Sequence, residues 1–308
     1  MFWAFLAGIG AFSNAAYFIV NKRFLQDLNP NQLAASGFLC TSGILLSCSF
    51  ITGFPAVGPE FFGAVVVTTL LNILGTTLTF RALSSSDISL SIPMLSFTPI
   101  FLVGTAALLL GEFPSVAGIL GIFIIVSGSY ILNTATEHER ITDPFRSMIS
   151  HPGVMAMLVV AFLYAISINF DKIVVQTSNP VFGSGIVFLL LGTSFAVLAT
   201  LEKCGRLPAI LCSPRPAMTG QTPAPPSAPW RYLAGAGVLT SILMTIEAVS
   251  INTAYLLQIA PYVIAIKRMS LILIVLYGTL IFREKEIVRR LAGAGLMVLG
   301  AVLILVFP

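Results

Sequence analysis

Apolar residues run along this chain in long blocks separated by short polar intervals. At about 20 apolar residues per bilayer crossing, the blocks predict ten spans, near 2–20, 31–52, 61–81, 88–111, 115–133, 153–170, 181–201, 231–253, 258–282 and 288–307. Two intervals are longer than a turn. One is a charged linker over 136–152, opening TEHERITDPFR; the other, 202–229, packs seven prolines between Pro208 and Pro229. Such a proline density favours an extended chain, the reading of a tolerated insertion.

The blocks also repeat. Ala11, Phe12, Ala15, Lys22, Asn29 and Pro30 match Ala161, Phe162, Ala165, Lys172, Asn179 and Pro180 at an offset of 150, while Glu112, Gly121 and Gly128 match Glu284, Gly293 and Gly300 at 172. The excess is about the length of the proline-rich insertion, so one insertion reconciles both registers. The predicted organisation is a first five-helix repeat over 1–135, the linker at 136–152, and a second five-helix repeat over 153–308 carrying the insertion. Because five is odd, the second repeat enters the membrane in the opposite sense. The predicted fold is an all-α polytopic membrane protein of ten transmembrane helices in two inverted repeats, an arrangement in which two halves rock about a site near the midplane. The first block takes part in the repeat, which marks it as a retained span rather than a signal peptide.

Polar positions inside the blocks fall on single helix faces. Asn14, Tyr17 and Asn21 share a face of the first span; 150 residues on, Tyr164, Ser167 and Asp171 do so in the sixth. The third span carries Thr69, Asn72, Thr76 and Thr79, and Asn72 weighs most, since a buried amide needs partners. Such stripes either line a shared cavity or bond helix to helix. Pro93, Pro99 and Pro261 permit kinks in the fourth and ninth spans. The glycine pairs Gly121/Gly128 and Gly293/Gly300 make smooth faces for close helix packing.

The costliest residues lie late in the chain. Lys267 and Arg268 sit inside the ninth span, where a basic side chain costs on the order of 2.5–3.5 kcal/mol to insert and therefore faces a protein-lined cavity and a partner. Glu247 in the eighth span reads as the only carboxylate deep in any block. It and Lys267 lie about eight and nine residues from the same connection, hence at matched depth at ~1.5 Å per residue. Adjacent residues diverge by 100° on a helix, so one cation neutralises Glu247 while the other faces the cavity. The images of Lys267, Arg268 and Glu247 in the first repeat are Leu95, Ser96 and Gly75. Charge recognition is therefore expected to be asymmetric.

Composition narrows the classes. The chain is 57% hydrophobic and 9% charged, too apolar for a soluble core, so a lipid bilayer is its partner. The basic balance does not indicate nucleic acid, because the cations lie in short intervals between spans and form no solvated basic domain. Four cysteines without a CxxC pair and two histidines, His138 and His151, in or beside one loop supply no metal set. No cofactor is expected, and no span offers the nucleophile-and-base pair of an intramembrane enzyme.

These stretches resemble the drug/metabolite transporter superfamily, specifically its ten-helix EamA-type members. The resemblance covers nearly the whole chain, through GAFSNAAYFIVNK in the first span, SIPMLSFTPIFLVGTAALLLGEFPSVAGILGIFIIVSG from the fourth, and RMSLILIVLYGTLIFREKEIVRRLAGAGLMVLG from the ninth. It implies a carrier of small organic solutes, bound centrally between the repeats and moved by alternating access. The Lys267 and Arg268 pair resembles the basic sites of anion-carrying relatives.

The expected function is secondary transport of a small anionic or zwitterionic organic metabolite. Candidate substrate-binding residues are Lys267, Arg268, Glu247, Asn14, Tyr17, Asn72, Tyr164 and Ser167, and Glu247 doubles as the proton-coupling candidate. The competing readings are a proton-coupled exporter of neutral or cationic amphiphiles or amino acids working through Glu247, and a structural or receptor-like membrane protein. The protein is expected as a monomer or homodimer in the cell (inner, cytoplasmic) membrane. Thirteen cations lie in or beside the odd-numbered connections against Lys172 alone on the other side, so the positive-inside rule puts both termini outside.

Overall fold

The computed structural model describes residues 1–24, 27–85, 92–133, 152–205, 230–282 and 287–307. Residues 136–151 of the linker and most of the proline-rich insertion, with Glu284, lie outside them. Among the described residues all regular structure is helical: α1 (Phe2–Phe24), α2 (Pro30–Thr52), α3 (Phe61–Ser85), a 3₁₀ segment (Ile92–Phe97) leading into α4 (Thr98–Leu110), α5 (Val116–Asn133), α6 (Pro152–Gln176), α7 (Pro180–Lys203), α8 (Trp230–Leu257), α9 (Ala260–Lys267), α10 (Ser270–Phe282) and α11 (Ile287–Val306). Among the described residues six helices are long and apolar enough to cross a bilayer, and Met94–Leu110, Val116–Leu132 and Arg290–Val306 are shorter apolar helices. Large apolar side chains such as Phe12, Leu70, Leu108 and Leu299 stand exposed on the outside, as suits a surface solvated by lipid.

Local chemistry explains where helices start and stop. α2 and α7 each begin with proline in the first turn behind an asparagine cap: Asn29 Oδ1 accepts from the backbone N–H of Asn31 and Gln32, and Asn179 Oδ1 from that of Phe182. Both caps thus satisfy donors a helix start leaves orphaned. α4 stops at Gly111, whose φ of 66° is a left-handed conformation suited to glycine, and the chain then turns Glu112 inward.

The repeat is visible in the element bounds. α4 and α10 have the same length and start 172 residues apart, α3 and α8 end 172 apart, and α1 with α6 and α2 with α7 begin 150 apart. Equivalent helices run antiparallel. In α5 and α11, Gly121 meets Gly300 while Gly128 meets Gly293; in α2 and α7, Leu39 meets Gly192 while Leu46 meets Gly185. A helix antiparallel to its own copy is the geometrical mark of inverted repeats. The remaining principal contacts, α3 with α6 and α1 with α8, exchange under the same operation.

The α5 and α11 seam is drawn tight by glycine. A Cβ at Gly128 would lie 2.6 Å from the Gly293 carbonyl oxygen, and one at Gly300 2.6 Å from that of Gly121. Only a residue without a side chain permits that approach.

The ninth span departs from the continuous helix the sequence predicts. It breaks between α9 and α10 with neither proline nor glycine at the break, the turn being held by bonds three residues apart: Met269 N–H to Ile266, Leu271 N–H to Arg268 and Ile272 N–H to Met269. This is 3₁₀ geometry, and it falls where the repeat carries the 3₁₀ segment Ile92–Phe97. In the first copy the cause is visible, because Pro99 occupies the first turn of α4 and cannot supply the donor that a continuous helix would require. Five helices outrun their predicted ends: α1 to Phe24, α3 to Ser85, α7 to Lys203, α8 to Leu257 and, with most consequence, α6 to Gln176.

Candidate functional site

A cavity of about 390 Å³ lies between the two halves. Seven of the eight residues singled out from sequence line it: Asn14, Asn72, Tyr164, Ser167, Glu247, Lys267 and Arg268. Tyr17 does not; its ring packs edge-on against Phe18, with 5.8 Å between centroids. The lining is otherwise largely apolar, with Phe18, Phe38, Phe188 and Phe195 prominent, so polar contacts made inside it are little diluted by water.

The charged residues sort into a pair and two singles. Lys267 Nζ lies 2.6 Å from Glu247 Oε1, and the same oxygen accepts a 3.0 Å hydrogen bond from Asn14 Nδ2. Depth matching of Glu247 and Lys267 therefore corresponds to a direct contact. Arg268, at the end of α9 where the span breaks, faces the same cavity, and its buried Nε has no hydrogen-bond partner. Among the described residues it has no carboxylate at ion-pair distance.

Glu247 is not the only carboxylate at depth, which corrects the sequence reading. Asp171 also lines the cavity and accepts a 2.5 Å hydrogen bond from Thr68 Oγ1. A hydrogen-bonded chain leads to it: Asn72 Nδ2 donates to Ser167 Oγ at 2.7 Å, and Ser167 Oγ lies 2.7 Å from Thr68 Oγ1. With an amide at one end that donates and a carboxylate at the other that accepts, each hydroxyl proton is directed toward Asp171. The predicted sixth span stopped at residue 170, one short of this side chain. The stripe already puts Asp171 on the face of Tyr164 and Ser167; what the hydropathy end of the span hides is its depth.

The third carboxylate, Glu112, closes one end of the bundle. It pairs with Lys172, whose side chain is only 4% exposed against 14% for Glu112. Lys172 Nζ also donates to the Gln258 carbonyl at 2.7 Å, and Glu112 Oε2 accepts from the Ala260 N–H at 2.9 Å. One dry cluster thus ties the end of α4 to α6 and to the connection between α8 and α9. Asp171 and Lys172 are neighbours in sequence but diverge around α6, one into the cavity and the other into this cluster. No set of three or more potential metal ligands is found among the described residues.

Repeat-related contacts around the cavity differ in chemistry. The Asn14 to Glu247 bond between α1 and α8 has as its image Tyr164 over Gly75, between α6 and α3. A Cβ on Gly75 would lie 2.6 Å from the Tyr164 ring, so glycine is what seats that ring.

Residues 1–134 match the EamA-like transporter family model. No curated protein matches the chain. A solved crystal structure of a protein shares its fold over 99% of this chain and 98% of that one, with a TM-score of 0.71 at 15% identity. The family match thus covers the first repeat, residues 1–134, and the fold shared with the solved structure runs through both repeats.

Proposed function

We propose that the protein is a secondary transporter for a small anionic or zwitterionic organic metabolite, bound in the central cavity and released by alternating access. The observation that carries this reading is Arg268. Its guanidinium faces a largely apolar cavity without a counter-ion among the described residues, while its neighbour Lys267 is already neutralised by Glu247. A charge so placed is destabilising until an anion arrives, and a fork of N–H donors suits carboxylate and phosphate alike. Asn14, Asn72, Tyr164 and Ser167 supply neutral contacts around it. Glu247 serves first as the counter-ion of Lys267, which makes it a poor free carboxylate for a cationic amphiphile. The breaks before α4 and after α9 give the two halves matched points of bending beside the cavity, and mid-span 3₁₀ geometry often marks such hinges.

Replacing Arg268 with Gln in purified protein tests this directly. Ligand-induced thermal stabilisation by carboxylates and phosphate esters is expected to fall sharply, and unchanged stabilisation would refute the assignment. The charge bias of the connections orients both termini outside and the α7 to α8 connection inside. Labelling of exposed Cys204 by an impermeant thiol reagent in intact cells would reverse that orientation.

A further inference from the structure

Among the described residues the four charged side chains lining the cavity sum to zero, and this constrains the solute further than Arg268 alone. Lys267 and Glu247 cancel each other across 2.6 Å. What remains is one single charge of each sign, Arg268 on the ninth span and Asp171 on α6, both lining the same space. Asp171 is held as an acceptor. Thr68 donates to Oδ1, and Ser167 and Asn72 queue their protons behind it. Its other oxygen, Oδ2, accepts no hydrogen bond from the described residues, and no cationic side chain among them stands at ion-pair distance. Lys172, the nearest basic residue in sequence, is occupied by Glu112 and the Gln258 carbonyl.

A purely anionic solute would neutralise Arg268 and leave Asp171 charged in a low-dielectric cavity. It would also meet Asp171 as a like charge. A solute with a cationic group at one end and an anionic group at the other satisfies both poles at once. We propose that Asp171 is the seat of a substrate ammonium group, and that the transported solute is zwitterionic, with its carboxylate or phosphate on Arg268. The proposal rests on the anion-binding reading of Arg268 and adds the second pole.

Matched pairs differing only in the amine separate the two ideas: phenylalanine against 3-phenylpropionate, alanine against propionate, and phosphoethanolamine against ethyl phosphate. Their binding is measured on the purified full-length chain by thermal shift and calorimetry. In the wild type, at least one zwitterion is expected to bind about tenfold or more tighter than its des-amino partner, the worth of one charge-assisted hydrogen bond. Asp171→Asn keeps an acceptor for Thr68 but removes the charge. It should reduce that preference to about twofold or less while the des-amino anion binds at least as well as before. Asp171→Glu should retain part of the preference, and both variants should match the wild-type melting temperature without ligand. Equal binding of both members by the wild type would overturn the proposal, as would an undiminished preference in a folded Asp171→Asn. Loss of all anion binding in Arg268→Gln together with no amine preference in the wild type would sink the role of Asp171 and leave that of Arg268 standing. Retained binding in Arg268→Gln would sink the underlying reading instead.

Discussion

Two helix crossings flank the cavity, α1 over α8 and α6 over α3, and the repeat makes them images of one another. Their backbones correspond, but their side chains do not. In one, Asn14 reaches a Glu247 carboxylate that a lysine has already neutralised; in the other, glycine makes room for Tyr164, and the carboxylate, Asp171, sits two turns further along the partner helix under a chain of hydroxyls. Among the described residues the four charged side chains lining the cavity lie in the second repeat, while the first contributes neutral groups, Asn14, Asn72, Thr76 and Thr98. The difference teaches that the duplicated part of this protein is its shape, and that polarity is distributed without regard to the symmetry. Shape-determining residues should therefore behave alike in both halves, and charge-determining residues should not.

The largest effect is expected at the Glu112 and Lys172 pair. Removing one partner of a buried ion pair costs on the order of 3–5 kcal/mol, so Glu112→Gln should lower thermal stability sharply, and Glu112→Gln with Lys172→Met should recover most of the loss. Glu247→Gln should cost less, because the Lys267 side chain it leaves behind is 28% exposed against 4% for Lys172; equal costs would show that depth does not separate the two pairs. Next comes the glycine seam. Leucine at Gly128 or at Gly293 should each destabilise by about 3 kcal/mol through overpacking, and by similar amounts, since each residue meets the other's backbone. Unequal loss of monodisperse protein would break the shape half of the comparison. Arg268→Gln should weaken anion binding by about 1.5–3 kcal/mol, the value of a hydrogen bond to a charged group. Leu95→Met, one residue before the first-repeat image of Arg268 and itself lining the cavity, should change binding by less than about 0.5 kcal/mol. The smallest effect is at the caps: Asn29→Ala and Asn179→Ala should each cost about 1 kcal/mol, slightly more at Asn29, whose amide also reaches Glu202 at 3.4 Å.

The fold was legible because bilayers impose length and the repeat imposes order. Counting apolar residues placed a block over each long described helix, and two offsets related the halves. Hydropathy failed at the places where charges are satisfied inside the protein. The predicted end of the sixth span fell at the first charged residue, Asp171, although the helix continues to Gln176 because Thr68 satisfies that carboxylate and Glu112 satisfies Lys172. The break after Arg268 carries no local mark in IKRMS. The register could have located it, since Pro99 opens α4 and its counterpart 172 residues later is the first turn of α10. Asn14, Glu247 and Lys267 were legible as cavity residues because each was too polar for lipid. Tyr17, on the same face, stands off the cavity lining, and its hydroxyl is bonded to Asn21 of the same stripe.

The glycine seam between α5 and α11 also limits how the halves can move. Backbone touches backbone there at two points seven residues apart on each helix. Sliding one helix along the other by a residue would drive a leucine, isoleucine, serine or alanine Cβ into a carbonyl oxygen, whereas a small roll about the contact line moves neither glycine far. The seam therefore acts as a bearing with a single free axis: it admits rotation and blocks translation, so rocking of the two halves about it needs no change of register.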